Sequence, residues 1–442
     1  MMSLSAKYLV GLPLGVMLAT AAIGSIASAQ SSGPISLFTP GTARTEPPPG
    51  EALRGVRPEA VGAVAYFTIS PVASRSLRSP KPGPSQMRIE LPGGKSVTCS
   101  LEATGTSLSG SIEGQDLSAC DLVVSDGKVN GSIDSEAGRF RILPVGNGGT
   151  HAVVAVRSEA FPPEQEGPNL RPKLQGKPLP DKRSMRDEPT CDVMPANGKP
   201  KQLGPLRVLL LYTQGAVRDS ANIKADVTLL INDFNRTLSL NKAYKARVEL
   251  AAALPVDYVE AGDMEVDLDR LSGNVPGFFA DVPKLRDKYK ADVVHLIIHG
   301  SGDSCGIGWL LDPTDPRSAY SGYSLSDRGC AVDNYSFIHE IGHNLGLNHD
   351  RAVVDSAGPD DFNFGFVDVP DGFRTVMAYN NACGAVQKNC RRLPVFSTPK
   401  LFYNGMVLGK PVSDGSSAYN AEIVCRTLPY AAKFAEIRAK GN

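Results

Sequence analysis

The residues with the clearest potential for chemistry form one run, 337–350, which reads Phe-Ile-His-Glu-Ile-Gly-His-Asn-Leu-Gly-Leu-Asn-His-Asp. On a helix, His339 and His343 are four residues apart, so both imidazoles project from one face and can bind the same metal ion. Gly346 lets the backbone leave the helix through a left-handed conformation, and the turn directs His349 toward that ion. Three neutral nitrogen ligands with an open fourth position are typical of catalytic zinc.

Glu340, next to the first histidine, is predicted to be the general base. It can reach a water in the open position of the zinc and take its proton, while the zinc lowers the pKa of that water and polarises the scissile carbonyl. A structural zinc would be closed by a fourth protein ligand such as cysteine, and the motif contains none. We therefore predict an active site rather than a structural zinc or packed core histidines.

The remaining histidines carry less information. His295 and His299 fall on one face of a predicted strand, but no carboxylate or cysteine cluster accompanies them, so we predict core packing rather than a second metal site. His151 stands alone in a region without other candidate ligands, and we predict a packing or surface role for it.

The elements that must position this motif alternate between strand and helix patterns from Leu206 onward. The pattern predicts strands at 207–212, 247–259 and 292–299, and helices at 216–241 and 282–289. Asn334 is predicted to cap the start of the histidine helix. The run 305–311 is predicted to be an edge strand, either one that pairs with an extended peptide substrate or an ordinary one with Trp309 in the core. This arrangement predicts an α+β domain with a mixed, α/β-like sheet over residues 206–442.

The first 29 residues read as a secretory signal. Lys7 supplies the positive charge, 8–26 is apolar, and the chain then reads Ala27-Ser28-Ala29, a small-x-small cleavage pattern. The alternative, an uncleaved membrane anchor, needs a longer run without the proline and glycine interruptions. We predict removal of the signal after Ala29, a secreted protein, and no membrane span in the mature form.

The region between the signal and the strand–helix pattern divides into three parts. Residues 30–59 are rich in Pro, Ser and Gly and are predicted to be a flexible lead-in. Residues 60–156 are predicted to form a small all-β domain, with strands at 63–69, 87–91, 122–124 and 140–145 separated by turn signals. Residues 157–205 are predicted to be a linker. It is either permanent or cut during processing, and Lys182 and Arg183 are candidates for the cleaved site.

Eight cysteines in an exported chain predict disulfides. Proximity predicts the pairs Cys99–Cys120, Cys305–Cys330 and Cys383–Cys390. Cys191 has two readings, a disulfide with Cys425 or a cysteine switch whose thiolate occupies the fourth zinc position until it is removed.

The charge balance excludes some partners. Lys plus Arg and Asp plus Glu are both 46, giving a formal net charge of zero. A dedicated nucleic-acid binder would show a basic excess, so no nucleic-acid partner is expected. Nothing in this balance supports attachment to an anionic membrane.

The run 339–350 together with Met377 resembles the metzincin clan of zinc endopeptidases. That resemblance implies a methionine turn in which Met377 lies beneath the metal without binding it. Asp350, directly after the third histidine, is similar to the reprolysin-like (adamalysin) branch. Further similarity to bacterial secreted reprolysin-like enzymes, including peptidyl-Asp metalloendopeptidases, lies in the residues Cys-Gly-Ile-Gly-Trp at 305–309 and the segments 396–399 and 404–405.

One position departs from that branch. Animal reprolysins usually carry proline two residues after the methionine, where this chain has Tyr379. A tyrosine there is similar to astacins and serralysins, in which it can bind zinc at rest and stabilise the transition state. Tyr379 is therefore either an oxyanion-stabilising phenol or a packing residue.

The resemblance implies a monomeric secreted zinc endopeptidase made as a zymogen. Protein or peptide substrates are its expected partners, and the all-β domain is its inhibitory propeptide. One catalytic zinc is expected, while calcium sites are not specified by the sequence. Arg391 and Arg392 are candidate S1′ residues for an acidic P1′ side chain, or solvated surface arginines. The rival function is a non-catalytic exported zinc-binding or adhesive protein on this scaffold, against which an intact Glu340 argues.

Overall fold

The structure is a computed structural model that describes residues 33–78, 83–105, 107–125, 127–165, 204–243, 246–300, 302–354 and 361–441. The predicted signal peptide, most of the predicted linker with Lys182 and Arg183, and Cys191 lie outside the described residues. Within them, no helix has the length and apolar character that crossing a membrane requires.

The described part of the N-terminal region forms a nine-stranded sheet, named here the N-terminal sheet. Its strand order is β1-β3-β4-β5-β6-β7-β8-β9-β2, antiparallel throughout except for the parallel pair β1–β3. A short helix, α1 (Pro71–Arg78), follows β2. The strands are β1 (Ile35–Ser36), β2 (Val61–Thr68), β3 (Ser85–Glu90), β4 (Ser96–Thr104), β5 (Ser107–Ile112), β6 (Ala119–Ser125), β7 (Lys128–Ser135), β8 (Gly138–Val145) and β9 (Thr150–Val156).

The sheet is larger than the sequence pattern indicates. The four predicted strands correspond to β2, β3, β6 and β8, but the pattern missed β1, β4, β5, β7 and β9. Strands such as β5, which reads Ser-Leu-Ser-Gly-Ser-Ile, have few apolar residues and are held by ladder hydrogen bonds to both neighbours. These strands form despite their low β-propensity, because each lies between two other strands and pairs with both.

Part of the predicted flexible lead-in packs against the N-terminal sheet. Ile35–Ser36 pairs with β3, and the two residues after it, Leu37 and Phe38, are buried. The Phe38 ring stacks on Phe67 of β2 with centroids 4.6 Å apart. The short apolar run 35–38 therefore packs against the sheet, although the proline-rich composition around it gave no indication of this.

The C-terminal part, residues 204–441, is built on a five-stranded sheet of order β11-β10-β12-β14-β13. All neighbours are parallel except β13, which runs antiparallel to β14 at the edge. The predicted mixed sheet and its edge strand are therefore present. Its strands are β10 (Leu206–Thr213), β11 (Val248–Val256), β12 (Val293–Ile298), β13 (Gly306–Gly308) and β14 (Tyr323–Asp327).

Helices cover this sheet. The predicted helix 216–241 is two helices, because the side chain of Asn222 accepts a hydrogen bond from Ala225 N (3.2 Å) and starts a second helix after a break. That second helix buries Leu230, Phe234 and Leu238 at four-residue spacing. The helices are α2 (Gln214–Asp219), α3 (Ile223–Leu240), α4 (Met264–Leu271), α5 (Val282–Lys288), α6 (Arg328–Asp333) and α7 (Ser336–Asn344).

Three predicted disulfides, Cys99–Cys120, Cys305–Cys330 and Cys383–Cys390, are confirmed.

The described part of the chain after α7 forms short strands and three helices. The last elements are β15 (Asn348–Asp350), β16 (Phe364–Gly365), β17 (Val367–Asp368), β18 (Phe373–Arg374), α8 (Asn381–Gly384), β19 (Arg391–Arg392), β20 (Thr398–Tyr403), β21 (Met406–Leu408), α9 (Asn420–Ala431) and α10 (Phe434–Gly441).

Candidate active site

The helix α7 carries the first two histidines and follows a residue with a strained backbone. Tyr335, just before it, has φ 58°, in the left-handed region. The prediction that Asn334 caps this helix is wrong, since Asn334 ends α6 instead. Tyr335 is held by partners on the N-terminal sheet, donating to Asp134 Oδ1 (2.5 Å) and accepting from Arg139 Nη1 (2.8 Å). Long-range contacts replace the local cap that the sequence suggested.

The helix ends as the motif predicts. Gly346 has φ +87°, and the chain then turns into β15, which contains His349. Leu347 N donates to Gly342 O (3.0 Å), closing the turn. A Cβ on Gly346 would also lie 3.2 Å from Leu311 O, so both the backbone angle and the space favour glycine there.

The three imidazoles converge through their Nε2 atoms. His343 Nε2 lies 3.1 Å from His339 Nε2 and 2.9 Å from His349 Nε2. One nitrogen from each ring falls within 4.8 Å of the others, and this is the one such cluster of three among the described residues. His339 and His343 are buried, and His349 is partly buried.

Backbone carbonyls orient two of these rings. His343 Nδ1 lies 2.8 Å from Leu347 O, and His339 Nδ1 lies 3.0 Å from Val376 O. A carbonyl can only accept, so each Nδ1 carries the proton and each Nε2 lone pair faces the cluster. Arg392 Nη2 also comes within 2.6 Å of His339 Nδ1. Arg392 donates to the backbone oxygens of Val376 and Asn334, so it does not need His339 as an acceptor. We therefore assign the His339 tautomer from its contact with Val376 O.

Burial and neighbouring charge keep these rings neutral. Burial is the main cause of the lowered pKa of all three, and it brings the pKa of His343 to about 4. The Arg392 charge and then the His343 imidazole lower the pKa of His339 further. Three neutral imidazole nitrogens whose lone pairs face one another have no hydrogen-bond donor between them. A zinc ion would bind all three lone pairs. The residues therefore fit catalytic zinc.

Glu340 is buried against the edge strand. A Cβ on Gly306 would lie 2.6 Å from Glu340 Oε1, and one on Gly308 would lie 2.7 Å from the Glu340 backbone oxygen. Burial raises the pKa of this carboxyl well above its usual range, and the nearby Glu164 charge raises it further. Glu340 Oε1 has no hydrogen-bond partner among the described residues. The two glycines of Gly-Ile-Gly thus make room for the carboxylate, a role that their spacing alone did not reveal.

Met377 lies directly beneath α7. It is fully buried, and its sulfur is 2.6 Å from the position that a Cβ on Gly342 would take. On its other side, a Cβ on Gly365 would meet the backbone of Met377 and Ala378 at 2.9 and 2.8 Å. Two glycines therefore admit the methionine and its turn close to the histidine helix.

Tyr379 stacks against the histidines. Its ring centroid is 4.1 Å from that of His349 and 5.9 Å from that of His339. Its backbone N donates to Asp350 Oδ2 (2.9 Å), which ties the residue after the third histidine to the methionine turn. Tyr379 is buried at 2% exposure, so packing and chemistry are both compatible with its position.

The two candidate S1′ arginines point to different places. Arg391 donates to the backbone oxygens of Ser135 (2.5 Å) and Glu136 (3.1 Å) on the N-terminal sheet. Arg392 is buried beside His339 and donates from Nη1 to Glu164 Oε1 at 2.6 Å. Only Arg392 joins the histidine cluster. Glu164 was missed by sequence reasoning, because nothing in the Pro-Pro-Glu-Gln-Glu composition around it indicates a buried residue.

The other histidines take part in packing or surface contacts. His295 is fully buried between the hydroxyls of Ser324 and Ser326, each 2.8 Å from a ring nitrogen. His299 contacts Asp219 at the surface. His151 accepts from Val129 N (3.0 Å) inside the N-terminal sheet. None of them joins a metal-binding cluster in the part of the chain that the structure describes.

Comparison with known families identifies the C-terminal part. Residues 206–390 match the model Reprolysin_5 of metallo-peptidase family M12. The chain is 29% identical over 318 residues to a peptidyl-Asp metalloendopeptidase of Stenotrophomonas maltophilia, covering 71% of this chain and 70% of that protein. It is 28% identical over 320 residues to a peptidyl-Asp metalloendopeptidase of Xanthomonas campestris pv. campestris, with 72% and 70% covered.

Among solved structures, the chain is similar to metalloproteinase-II from Bacteroides fragilis, with a TM-score of 0.40 and 13% sequence identity. The match covers 73% of this chain and 90% of that one.

Proposed function

We propose that His339, His343 and His349 hold the zinc of this zinc metalloendopeptidase. Residues 206–390 of the chain match a reprolysin-like model of metallo-peptidase family M12. The convergence of three Nε2 atoms within 4.8 Å is the observation that carries this assignment. When bound, zinc supplies Lewis acidity toward a peptide carbonyl and toward water.

We assign the proton transfers to Glu340. Its carboxylate takes a proton from the attacking water and delivers it to the leaving amine. Burial raises its pKa, and a raised pKa makes a carboxylate a stronger base toward water. Gly306 and Gly308 allow the carboxylate to lie against the edge strand. That strand, β13, offers its backbone to an extended substrate.

Tyr379 is proposed to donate a hydrogen bond to the oxyanion. Its ring lies 4.1 Å from His349, centroid to centroid, so the phenol belongs to the wall of the same site. The tie between its backbone and Asp350 holds this wall in place. A donor aimed at developing charge in a buried site acts mainly on the transition state.

We propose that Arg392 selects an acidic P1′ side chain. Both relatives named above are called peptidyl-Asp metalloendopeptidases, and Arg392 is buried with a carboxylate partner beside the histidines. The guanidinium fork matches a carboxylate. A substrate bearing aspartate at that position would complete the same ion pair.

The N-terminal sheet is proposed to be an inhibitory propeptide. Arg139 and Arg141 of β8 form buried ion pairs with Asp233 (2.7 Å), Asp226 (2.8 Å) and Asp333 (2.6 Å) of the C-terminal part. The chain is further proposed to be exported after loss of 1–29, on the sequence pattern alone. Such a propeptide would hold the enzyme inactive until residues in 157–205 are cut.

The test is hydrolysis of casein and of a peptide series by the processed protein. We expect cleavage that a chelator abolishes and added zinc restores, with aspartate at P1′ in most mapped cut sites. Absence of chelator-sensitive cleavage would contradict the endopeptidase assignment. Cleavage with an apolar P1′ preference would contradict only the role of Arg392.

A further inference from the structure

The segment 161–165, which follows β9, runs beside the edge strand of the active site. Cys305 N donates to Pro163 O, and Gln165 N donates to Gly306 O, both at 2.8 Å. Gly306 is also the residue against which Glu340 packs. Residues 163–165 therefore take the backbone positions beside the proposed base that an extended peptide would use.

Glu164, at the centre of this segment, turns its carboxylate inward. Its exposure is 3%, whereas Pro163 before it is exposed. Its Oε1 accepts from Arg392 Nη1 (2.6 Å) and from the Ser336 hydroxyl (2.8 Å), and Asn334 Nδ2 approaches it at 3.5 Å. Arg392 and Ser336 are themselves buried. The charge is fully desolvated and has specific partners.

The pocket favours the ionised form of this side chain. Burial alone would raise the pKa of Glu164, but the Arg392 and Arg374 charges and the hydrogen bonds from Arg392 and Ser336 hold it below its usual value. Breaking such a pair from one side leaves the other charge buried. A carboxylate is therefore the group that this pocket is built to receive, whichever chain it comes from.

We propose that Arg392, Ser336 and Asn334 form a carboxylate subsite, and that Glu164 is its intramolecular ligand, which blocks the site as a substitute for an acidic substrate side chain. This inference rests on the proposed function, since it places the propeptide's inhibitory contact in the pocket that selects substrates. Inhibition and specificity then share one arginine, and removal of segment 161–165 frees both the pocket and the edge strand.

The test measures binding in the full chain carrying Glu340→Gln, so that cleavage does not interfere. The probe is a fluorescein-labelled Ala-Ala-Ala-Asp-Ala-Ala peptide, compared with its Asn counterpart by fluorescence anisotropy. Adding Glu164→Ala should tighten binding of the Asp peptide by at least about tenfold, since one charge-assisted contact is worth that much. Binding of the Asn peptide should change far less.

Glu159→Gln is the matched control, because Glu159 is exposed and lies five residues earlier in the same chain stretch. It should leave both peptides unchanged. Glu164→Gln, which preserves the side-chain shape, should act in the same direction as Glu164→Ala. Equal binding of the Asp peptide with and without Glu164 would overturn the inference.

A second measurement needs no change at Glu164. In the Glu340→Gln chain, excess Asp peptide should displace the segment and speed trypsin cleavage after the exposed Arg157, whereas the Asn peptide should not. Equal cleavage rates with both peptides would overturn the inference. Because every readout here is binding or accessibility, a failure of hydrolysis in the parent protein would contradict the proposed function and leave this test intact.

Discussion

At the scale of single residues, the site depends on which atoms hold protons. His339 and His343 are fixed by carbonyls of Val376 and Leu347, which leaves their Nε2 atoms free to bind a metal. The meeting of the three histidines could be predicted from sequence, because His339 and His343 are one helical turn apart and the chain turns back at Gly346 toward His349. Glu164 could not, since 228 positions separate it from Arg392 and no local pattern encodes that pairing.

The role of Tyr379 can be tested by removing its hydroxyl. Tyr379→Phe keeps the ring that stacks on His349, so zinc content and KM should stay close to the parent values. Loss of an oxyanion donor should lower kcat by about a hundredfold. Steady-state kinetics on one Asp-containing peptide measure both constants, and a kcat within about twofold of the parent would leave Tyr379 as a packing residue.

Arg392 and its neighbour form a matched pair for a specificity test. Arg392→Met in the processed protein should lower the ratio of kcat/KM for P1′ Asp over P1′ Ala by roughly 10- to 100-fold, because a charge-assisted hydrogen bond is lost. Arg391→Met should leave that ratio unchanged, since Arg391 Nη1 donates to the Tyr403 hydroxyl (3.2 Å), whereas Arg392 lies beside His339. The ratio is measured within each variant, which cancels losses in folded protein. An unchanged ratio in Arg392→Met would contradict the assignment.

At the scale of elements, the site is a helix, a turn and a strand held in register. The helix α7 and the edge strand β13 follow from apolar pattern and glycine content, and both are present. The start of α7 was predicted wrongly, because Tyr335 is held by Asp134 and Arg139 from another sheet instead of by a cap. Tertiary contacts of this kind carry no signature in the neighbouring residues.

Gly346 tests how closely the turn controls the third ligand. Gly346→Ala forces an L-residue to adopt φ +87°, at a cost of about 1 to 2 kcal/mol, and crowds Leu311 O. We expect zinc affinity, measured by chelator competition, to fall by about tenfold as His349 shifts. Gly384→Ala is the control, since a Cβ there meets nothing within 4 Å. Unchanged affinity in Gly346→Ala would show that the turn does not need glycine.

At the scale of the whole molecule, the N-terminal sheet and the C-terminal part share buried charges. Asp134 and Asp233 both pair with Arg139, and Asp121 lies near enough to raise the pKa of Asp233. The sequence did not predict this network, because these residues have the pattern of ordinary polar residues on strands and helices. The change in composition predicted a boundary between the two regions, but it did not predict the ion pairs between them.

Asp233 predicts a specific pH dependence of stability. Burial, and then the neighbouring carboxylates, raise its pKa to about 7 against an unfolded value near 4. The folded chain thus keeps a proton that the unfolded chain releases, so this group's contribution to stability falls as pH rises from about 4 to about 7. The loss is on the order of 4 kcal/mol.

Asp233→Asn should remove that loss. Urea unfolding of the full chain gives the free energy of unfolding at pH 4.5 and at pH 7.5 for both proteins. The variant should gain stability relative to the parent as the pH rises, because asparagine can still accept from Arg139 without carrying charge. A difference between the two proteins that is constant with pH would mean that Asp233 is ionised throughout.

The most direct test of the central claim is the zinc content and the turnover of Glu340→Gln, measured on the same preparation of processed protein. If three imidazoles hold the ion and Glu340 moves the proton, zinc should stay near one per chain while kcat falls by about a thousandfold or more. Zinc retained with turnover intact would contradict the assignment of Glu340 as the base. Loss of zinc from this variant would mean that the ion depends on a fourth protein group.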